Sequence, residues 1–193
     1  MIDSSKVRNS YQKLCVENIA AALPTNISPR SITLLALAFG IAVLPFLVLE
    51  MPYFAIACLA FSGYLDTLDG TLARMHKATS PQGAVLDIIS DRVVEAAVII
   101  GLFLVAPLER ALPTLLMLAS VLVCITSFLV VGIFTQNRSE KSFNYSPGLM
   151  ERTEAFVFFA AMILIPSFFI PLAYLFTLLV FYTAWRRVFQ FLV

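Results

Sequence analysis

Apolar runs long enough to cross a lipid bilayer recur along this sequence. The hydrocarbon core of a membrane is about 30 Å thick, so a spanning helix needs around 20 apolar residues. Six such runs are present, at residues 31–49, 52–73, 83–106, 112–134, 150–165 and 170–185. Hydrophobic residues make up 60% of the chain and charged residues 13%, whereas a soluble domain is roughly half apolar and a quarter charged. The sequence therefore predicts an all-α integral membrane protein with six transmembrane helices.

The basic residues lie almost entirely on one side of this predicted membrane domain. With six spans, twelve of the 13 Lys and Arg residues lie at the side that carries both termini, and Arg110 alone lies at the other. Cytoplasmic loops carry an excess of Lys and Arg. We therefore expect both termini, and the connections after the second and fourth spans, to be cytoplasmic.

The first 30 residues precede the predicted spans and form a segment of their own. Residues 4–20 are polar and weakly amphipathic, without the apolar core that a cleavable signal peptide requires. They predict a helix along the cytoplasmic interface, where basic residues suit anionic head groups, or a cap docked on the bundle. The expected domains are thus a juxtamembrane helix over 1–30 and a six-helix transmembrane domain over 31–193. A net charge of +1 gives no indication of a nucleic-acid partner.

Five acidic residues lie in the second and third spans, where an ionisable side chain is costly and is a functional candidate by default. Asp66 and Asp69 are three residues apart and share one face of the second predicted helix. Asp87, Asp91 and Glu95 follow one another at i,i+4 spacing on one face of the third. The two helices are joined by a short connection, so their acidic faces can meet near the cytoplasmic end.

Such a group of carboxylates in a low-dielectric region would be repulsive unless cations lay between its members. Ligand sets made only of oxygen suit hard divalent ions such as Mg²⁺ or Mn²⁺. A pair of these ions is a common arrangement for displacement at phosphorus. The acidic cluster therefore predicts a paired-metal site. The alternative is that the carboxylates form ordinary interfacial ion pairs with Arg74, Lys77 and Arg92.

Eight positions in this region carry a resemblance to a known protein family. They are Asp66, Asp69, Gly70, Ala73, Arg74, Gly83, Asp87 and Asp91. In residue type and in every spacing, this pattern resembles the signature of the CDP-alcohol phosphotransferase (CDP-alcohol phosphatidyltransferase) family. Many members also have a Pro-Asn-x-x-Thr segment at the start of the first span. Here that segment begins at Pro29, with Arg30 where Asn is usual.

The resemblance implies a phospholipid-biosynthetic transferase. Such enzymes move a phosphatidyl (phospho-alcohol) group from a CDP-linked lipid, usually CDP-diacylglycerol in bacteria and archaea, to a hydroxyl of a small polar alcohol, and release CMP. It implies that Asp66, Asp69 and Asp87 ligate two divalent ions, Mg²⁺ or Mn²⁺. Asp91 would complete the second metal site and act as general base. The implied donor-binding residues are Asp66, Asp69, Gly70, Ala73, Arg74 and Gly83. Members are commonly homodimers, and the active site is expected at the cytoplasmic face of a bacterial or archaeal membrane.

The sequence constrains the acceptor alcohol less than it constrains the CDP-linked donor. Arg138 and Lys141 lie in the fourth connection, and Arg152 lies at the start of the fifth span. Cations grouped in this way suit a phosphate group, which favours a phosphorylated acceptor such as inositol phosphate or glycerol 3-phosphate. Serine or another unphosphorylated alcohol is the alternative, in which case these cations are membrane-interface anchors. A cation transporter that uses the aspartates is an alternative of a different class.

Overall fold

The computed structural model describes residues 16–22, 24, 28–135 and 149–193 of the chain. Within these ranges the regular structure is helical and contains no strand. The helices are α1 (Glu17–Ala22), α2 (Pro29–Val48), α3 (Pro52–Met75), α4 (Pro81–Val105), α5 (Pro107–Phe134), α6 (Arg152–Leu164) and α7 (Phe169–Leu192), with a 3₁₀ turn at Pro166–Phe168 before α7. The prediction of an all-α fold is confirmed. Most of the predicted helix over residues 4–20 lies outside the described residues.

Three segments of the described chain are long and apolar enough to cross a membrane. They are Pro29–Val48, Pro107–Phe134 and Pro166–Leu192. On the second of them, Leu108 is 99% exposed and Ile133 is 70% exposed. Apolar surface of this extent is typical of an interaction or membrane surface rather than of a monomer in water.

The three remaining predicted spans differ from these segments for identifiable reasons. Helices α3 and α4 contain the acidic residues, which reduce their hydropathy. Helix α6 has 13 residues, which gives it a rise of about 20 Å at 1.5 Å per residue. That is shorter than the hydrocarbon core. The total of six spans therefore stays a prediction.

The chain divides into two compact units, of which the first ends at Val105 and the second begins at Ala106. In the first unit, α2 packs against both α3 and α4, and α1 packs against α3. The contact of α1 is apolar: Val16 and Ala20 belong to one buried cluster with Leu68 and Leu72 of α3. This packing covers the face of α3 that adjoins the aspartates.

At Gly40, α2 lies close to both of its neighbours. A methyl group added there would overlap Val94 of α4, with its Cγ1 at 2.7 Å, and would lie 3.0 Å from Ser62 Oγ of α3. Such overpacking costs roughly 1–3 kcal/mol. We expect Gly40→Ala to lower the melting temperature of the detergent-solubilised protein by several degrees.

The added methyl group clashes with the Val94 side chain, so the two positions should be coupled. The double variant Gly40→Ala/Val94→Ala should be more stable than the sum of the two single losses predicts. A Gly40→Ala protein that melts like the wild type would contradict this packing.

In the second unit, α7 packs against both α5 and α6. Rings meet between α6 and α7, with the centroids of Phe159 and Phe176 5.5 Å apart. The last predicted span ends at residue 185, whereas α7 continues to Leu192 and so includes Arg187. The Nη1 of Arg187 lies 3.1 Å from the Cys124 carbonyl oxygen of α5 and 3.3 Å from Ser127 Oγ. This guanidinium therefore joins α7 to α5.

Candidate metal centre

Helix α3 places Asp66 and Asp69 on the same side, in its C-terminal half. Asp69 is buried, at 6% exposure, and Asp66 is partly buried. Two threonine hydroxyls beside them bond to backbone carbonyls in the preceding turn, a local bond that keeps a hydroxyl satisfied inside a helix. The Thr67 hydroxyl donates to the Gly63 carbonyl at 3.0 Å and the Thr71 hydroxyl donates to the Thr67 carbonyl at 2.8 Å.

A tight connection then reverses the chain into α4. Lys77 adopts a left-handed conformation with φ 51°, and the N–H of the next residue, Ala78, donates to the Ala73 carbonyl at 2.9 Å. This is the hydrogen bond of a Schellman C-cap, in which glycine is the usual left-handed residue. At the start of α4, Ser80 Oγ accepts the Gly83 N–H at 3.1 Å, as an N-cap serine does. These two caps set the register in which the acidic residues of α4 follow those of α3.

Carboxylate groups from the two helices converge. One oxygen each from Asp66, Asp69 and Asp87 lie within 4.8 Å of one another. Like charges this close are repulsive without a cation, and an oxygen-only set suits Mg²⁺ or Mn²⁺. The residues present therefore fit a divalent metal. Asp91 lies one helical turn beyond Asp87 on α4.

An ion pair adjoins Asp91. Arg92 Nη1 lies 2.7 Å from Glu95 Oε2, and Arg92 Nη2 lies 3.9 Å from Asp91 Oδ2. From the sequence, Glu95 was grouped with the aspartates by its i,i+4 spacing. The structure pairs it with the arginine three residues before it, a spacing that also brings helical side chains together. The ion-pair alternative thus applies to Glu95 and, at a longer distance, to Asp91.

The remaining signature residues of α3 form an open surface beside the aspartates. A methyl group added at Gly70 would meet, among the described atoms, Arg74 Nη1 at 3.6 Å, an ordinary van der Waals distance. The Arg74 side chain is held nearby by its Nη2, which donates to Thr71 Oγ1 at 3.2 Å. Packing among the described residues therefore does not require glycine at position 70. The glycine leaves space at the helix surface under a guanidinium group.

The candidate acceptor residues belong to the other unit or lie outside the described residues. Arg138 and Lys141 are among the residues that the structure does not describe. Arg152 is the first residue of α6, and its guanidinium carbon lies 5.3 Å from the centre of the Phe156 ring. The segment before it is attached to α7, since the Met150 N–H donates to Thr183 Oγ1 at 3.0 Å.

The chain is similar to several known proteins along most of its length. The CDP-alcohol phosphatidyltransferase family profile matches residues 26–189. The inner membrane protein YnjF of Escherichia coli K12 is 34% identical over 169 residues, which cover 84% of this chain and 82% of that protein. A phosphatidylinositol phosphate synthase of Mycolicibacterium smegmatis is 28% identical over 151 residues, 78% of this chain and 67% of the relative.

Solved structures of similar fold include a phosphatidylinositol phosphate synthase of Mycobacterium tuberculosis in two states. The crystal structure with CDP-DAG bound has a TM-score of 0.74 at 21% identity, and the match covers 90% of this chain and 92% of that one. The structure in complex with manganese and citrate has a TM-score of 0.76 at 20% identity and covers 91% and 88%. At these identities the match establishes the shared fold.

Proposed function

The chain belongs to the CDP-alcohol phosphatidyltransferase family, and on that premise we propose that it transfers a phosphatidyl group from CDP-diacylglycerol to a hydroxyl of a small polar alcohol, with release of CMP. Membership of the family makes it a transferase, and the apolar helices and the inner membrane relative make it an integral membrane protein. The observation that carries the proposal is the convergence of Asp66, Asp69 and Asp87 within 4.8 Å.

The proposed chemistry assigns separate tasks to the aspartates. Asp66, Asp69 and Asp87 would hold divalent metal, and Asp91 would complete a second metal position. Bound Mg²⁺ or Mn²⁺ would neutralise charge on the donor pyrophosphate. Asp91 accepts the proton of the acceptor hydroxyl. The hydroxyl oxygen forms a bond to the β-phosphorus, and the bond between that phosphorus and the bridging oxygen breaks to release CMP.

The open surface at Gly70 supports a donor pocket formed with Ala73, Arg74 and Gly83. A glycine that packing does not require leaves room for a ligand to approach the helix backbone, and a guanidinium suits phosphate oxygens. The M. tuberculosis protein of the same fold has CDP-DAG bound. We therefore place the CDP part of the donor against this face of α3.

Gly70→Ala should separate donor binding from stability. Alanine is favoured over glycine in a helix by about 1 kcal/mol, and the methyl group has room in the protein, so the melting temperature should stay the same or rise. Overpacking against a bound donor costs roughly 1–3 kcal/mol. The KM for CDP-diacylglycerol should therefore rise about tenfold, at 1.4 kcal/mol per factor of ten. An unchanged KM would remove Gly70 from the donor pocket. Gly40→Ala is the matched control, in which stability falls.

For the acceptor, we propose a phosphorylated alcohol, held in part by Arg138, Lys141 and Arg152. The M. smegmatis relative, a phosphatidylinositol phosphate synthase, supports this choice over serine. A charged hydrogen bond contributes about 1.5–3 kcal/mol. Arg152→Ala should therefore raise the KM for the phosphorylated acceptor at least about tenfold, with the donor KM little changed.

Arg186→Ala is a suitable control for Arg152→Ala, since it removes an exposed cation from α7 of the same unit. It should leave the acceptor KM unchanged. Equal effects of the two substitutions would indicate a general loss of positive charge rather than an acceptor site.

The proposal extends to the membrane arrangement and the assembly. Six spans, with both termini and the aspartate cluster at the cytoplasmic face, follow the distribution of Lys and Arg. A homodimer is expected from the family resemblance.

The deciding experiment measures CMP release by the purified protein. It uses CDP-diacylglycerol, Mg²⁺ or Mn²⁺, and a panel of inositol phosphate, glycerol 3-phosphate, inositol and serine. We expect CMP only with metal present, and fastest with a phosphorylated acceptor. No CMP with any acceptor would refute the transferase proposal, whereas equal rates across the panel would refute only the acceptor assignment.

A further inference from the structure

Two buried hydroxyl groups, one on α3 and one on α4, have no hydrogen-bond partner among the described residues. They belong to Ser62, which is fully buried, and to Ser90, which is 6% exposed. The other buried Ser and Thr side chains of the described ranges each donate to a backbone carbonyl in the preceding turn. These are Thr33, Thr71, Thr114, Ser120, Ser127, Thr177 and Thr183. A buried hydroxyl without a partner is destabilising and uncommon in native proteins.

Both serines lie within one turn of an aspartate of the candidate metal centre. Ser62 precedes Asp66 by four residues on α3, and Ser90 follows Asp87 by three residues on α4. These spacings bring helical side chains together. Side chains on a helix lean toward its N-terminus, so the Asp66 carboxylate leans toward the turn of Ser62, and the Ser90 hydroxyl leans toward the turn of Asp87.

The surroundings of the two hydroxyls are otherwise apolar. Ser62 and Val94 both meet Gly40 of α2, and Ser90 lies one turn before Val94 on the same face of α4. The hydroxyls are therefore located where α2 packs against α3 and α4. Among the residues three or four positions from either serine, the side chains that carry oxygen are those of Asp66 and Asp87.

We propose that Ser62 and Ser90 are positioning residues of the metal centre, whose hydroxyls donate to the carboxylates of Asp66 and Asp87 when divalent metal is bound. The inference rests on the metal site of the proposed function and adds two residues outside its eight-residue pattern. Carboxylates that ligate a metal are themselves hydrogen-bonded, which fixes their orientation. A carboxylate has about four acceptor positions, so a serine donor is compatible with a metal ion and with the other contacts of each aspartate.

Ser62→Ala and Ser90→Ala should each weaken Mn²⁺ binding by about 10–100-fold, the usual effect of removing a contact that supports a metal ligand. The affinity is measured by titration of the purified metal-free protein in the absence of both substrates. The melting temperature of the metal-free variants should stay the same or rise, because alanine removes a buried polar group without a partner and is the stronger helix former. A serine that only fills space predicts unchanged Mn²⁺ affinity.

Ser120→Ala is the matched control. Ser120 is as fully buried as Ser62, but its hydroxyl donates to the Met117 carbonyl at 2.7 Å within α5 of the other unit. The substitution should leave Mn²⁺ affinity unchanged. If Ser120→Ala weakened Mn²⁺ binding as much as the other two variants, the loss would not be specific to the metal centre, and the positioning role would be overturned.

The remaining outcomes distinguish this inference from the proposed function. A wild-type protein that binds no Mn²⁺ removes the metal site and the positioning role together. A wild type that binds Mn²⁺, with Ser62→Ala and Ser90→Ala of equal affinity, overturns the positioning role alone. Weaker binding combined with a lower melting temperature indicates damage to the fold and also overturns it. Where one variant does not fold, the other decides the outcome, because the two substitutions lie on different helices.

Discussion

Asp69→Asn should reduce CMP release by about 10³-fold or more. Metal coordination contributes several kcal/mol of transition-state stabilisation, and about 4 kcal/mol corresponds to a factor of 10³ in rate. Asp69 is the most buried of the three converging carboxylates. Asparagine keeps the size of the side chain but removes the negative charge, so Mn²⁺ affinity should fall together with the rate.

Stability provides the internal check on this result. In metal-free protein the three carboxylates repel one another, so Asp69→Asn should melt at the same temperature as the wild type or at a higher one. An inactive variant with this melting behaviour has lost the site and not the fold. Glu50→Gln, a matched change of an exposed acid at the end of α2, should alter neither rate nor metal affinity. Full activity of Asp69→Asn would exclude a metal role for this residue.

Asp91→Asn should lower kcat by about 10²–10⁴-fold, the range that general acid–base catalysis contributes. The asparagine amide cannot accept the hydroxyl proton at neutral pH, while the donor pocket on α3 remains unchanged. The donor KM should therefore change much less than kcat. This ratio is measured by varying CDP-diacylglycerol at a saturating concentration of acceptor and metal.

Comparison of Asp69→Asn with Asp91→Asn distinguishes the loss of a metal ligand from the loss of a general base. Asp69→Asn is expected to weaken Mn²⁺ binding more than Asp91→Asn does, because Asp69 belongs to the group that converges within 4.8 Å. A fully active Asp91→Asn would refute the proposed mechanism. Equal losses of Mn²⁺ affinity would attribute the lower kcat of Asp91→Asn to its metal position and would remove this support for its role as base.

Much of the fold was accessible from the sequence because a bilayer restricts what an apolar chain can form. The long runs in α2, α5 and α7 predicted helices, since a helix satisfies its backbone hydrogen bonds internally. Helix ends were less predictable. Helix α7 continues to Leu192, beyond the predicted end of the last span, and Arg187 is thereby placed against the Cys124 carbonyl of α5. Hydropathy contains no information about a contact between residues 63 positions apart.

In the candidate site, too, the local arrangement was predictable from the sequence and the long-range contacts were not. The spacing of Asp66 and Asp69, and separately of Asp87 and Asp91, determines which side chains share a helix face, because helical periodicity is a local property. The sequence also determined the family, through eight residues at fixed spacings.

Which faces meet was decided only by the tertiary structure. The carboxylates of α3 and α4 converge because α2 packs against both helices, at a distance that the missing side chain of Gly40 permits. The partner of Glu95 was likewise decided by geometry, since both Asp91 and Arg92 lie within one turn of it. Periodicity permits several such pairings, and only the packed structure selects among them.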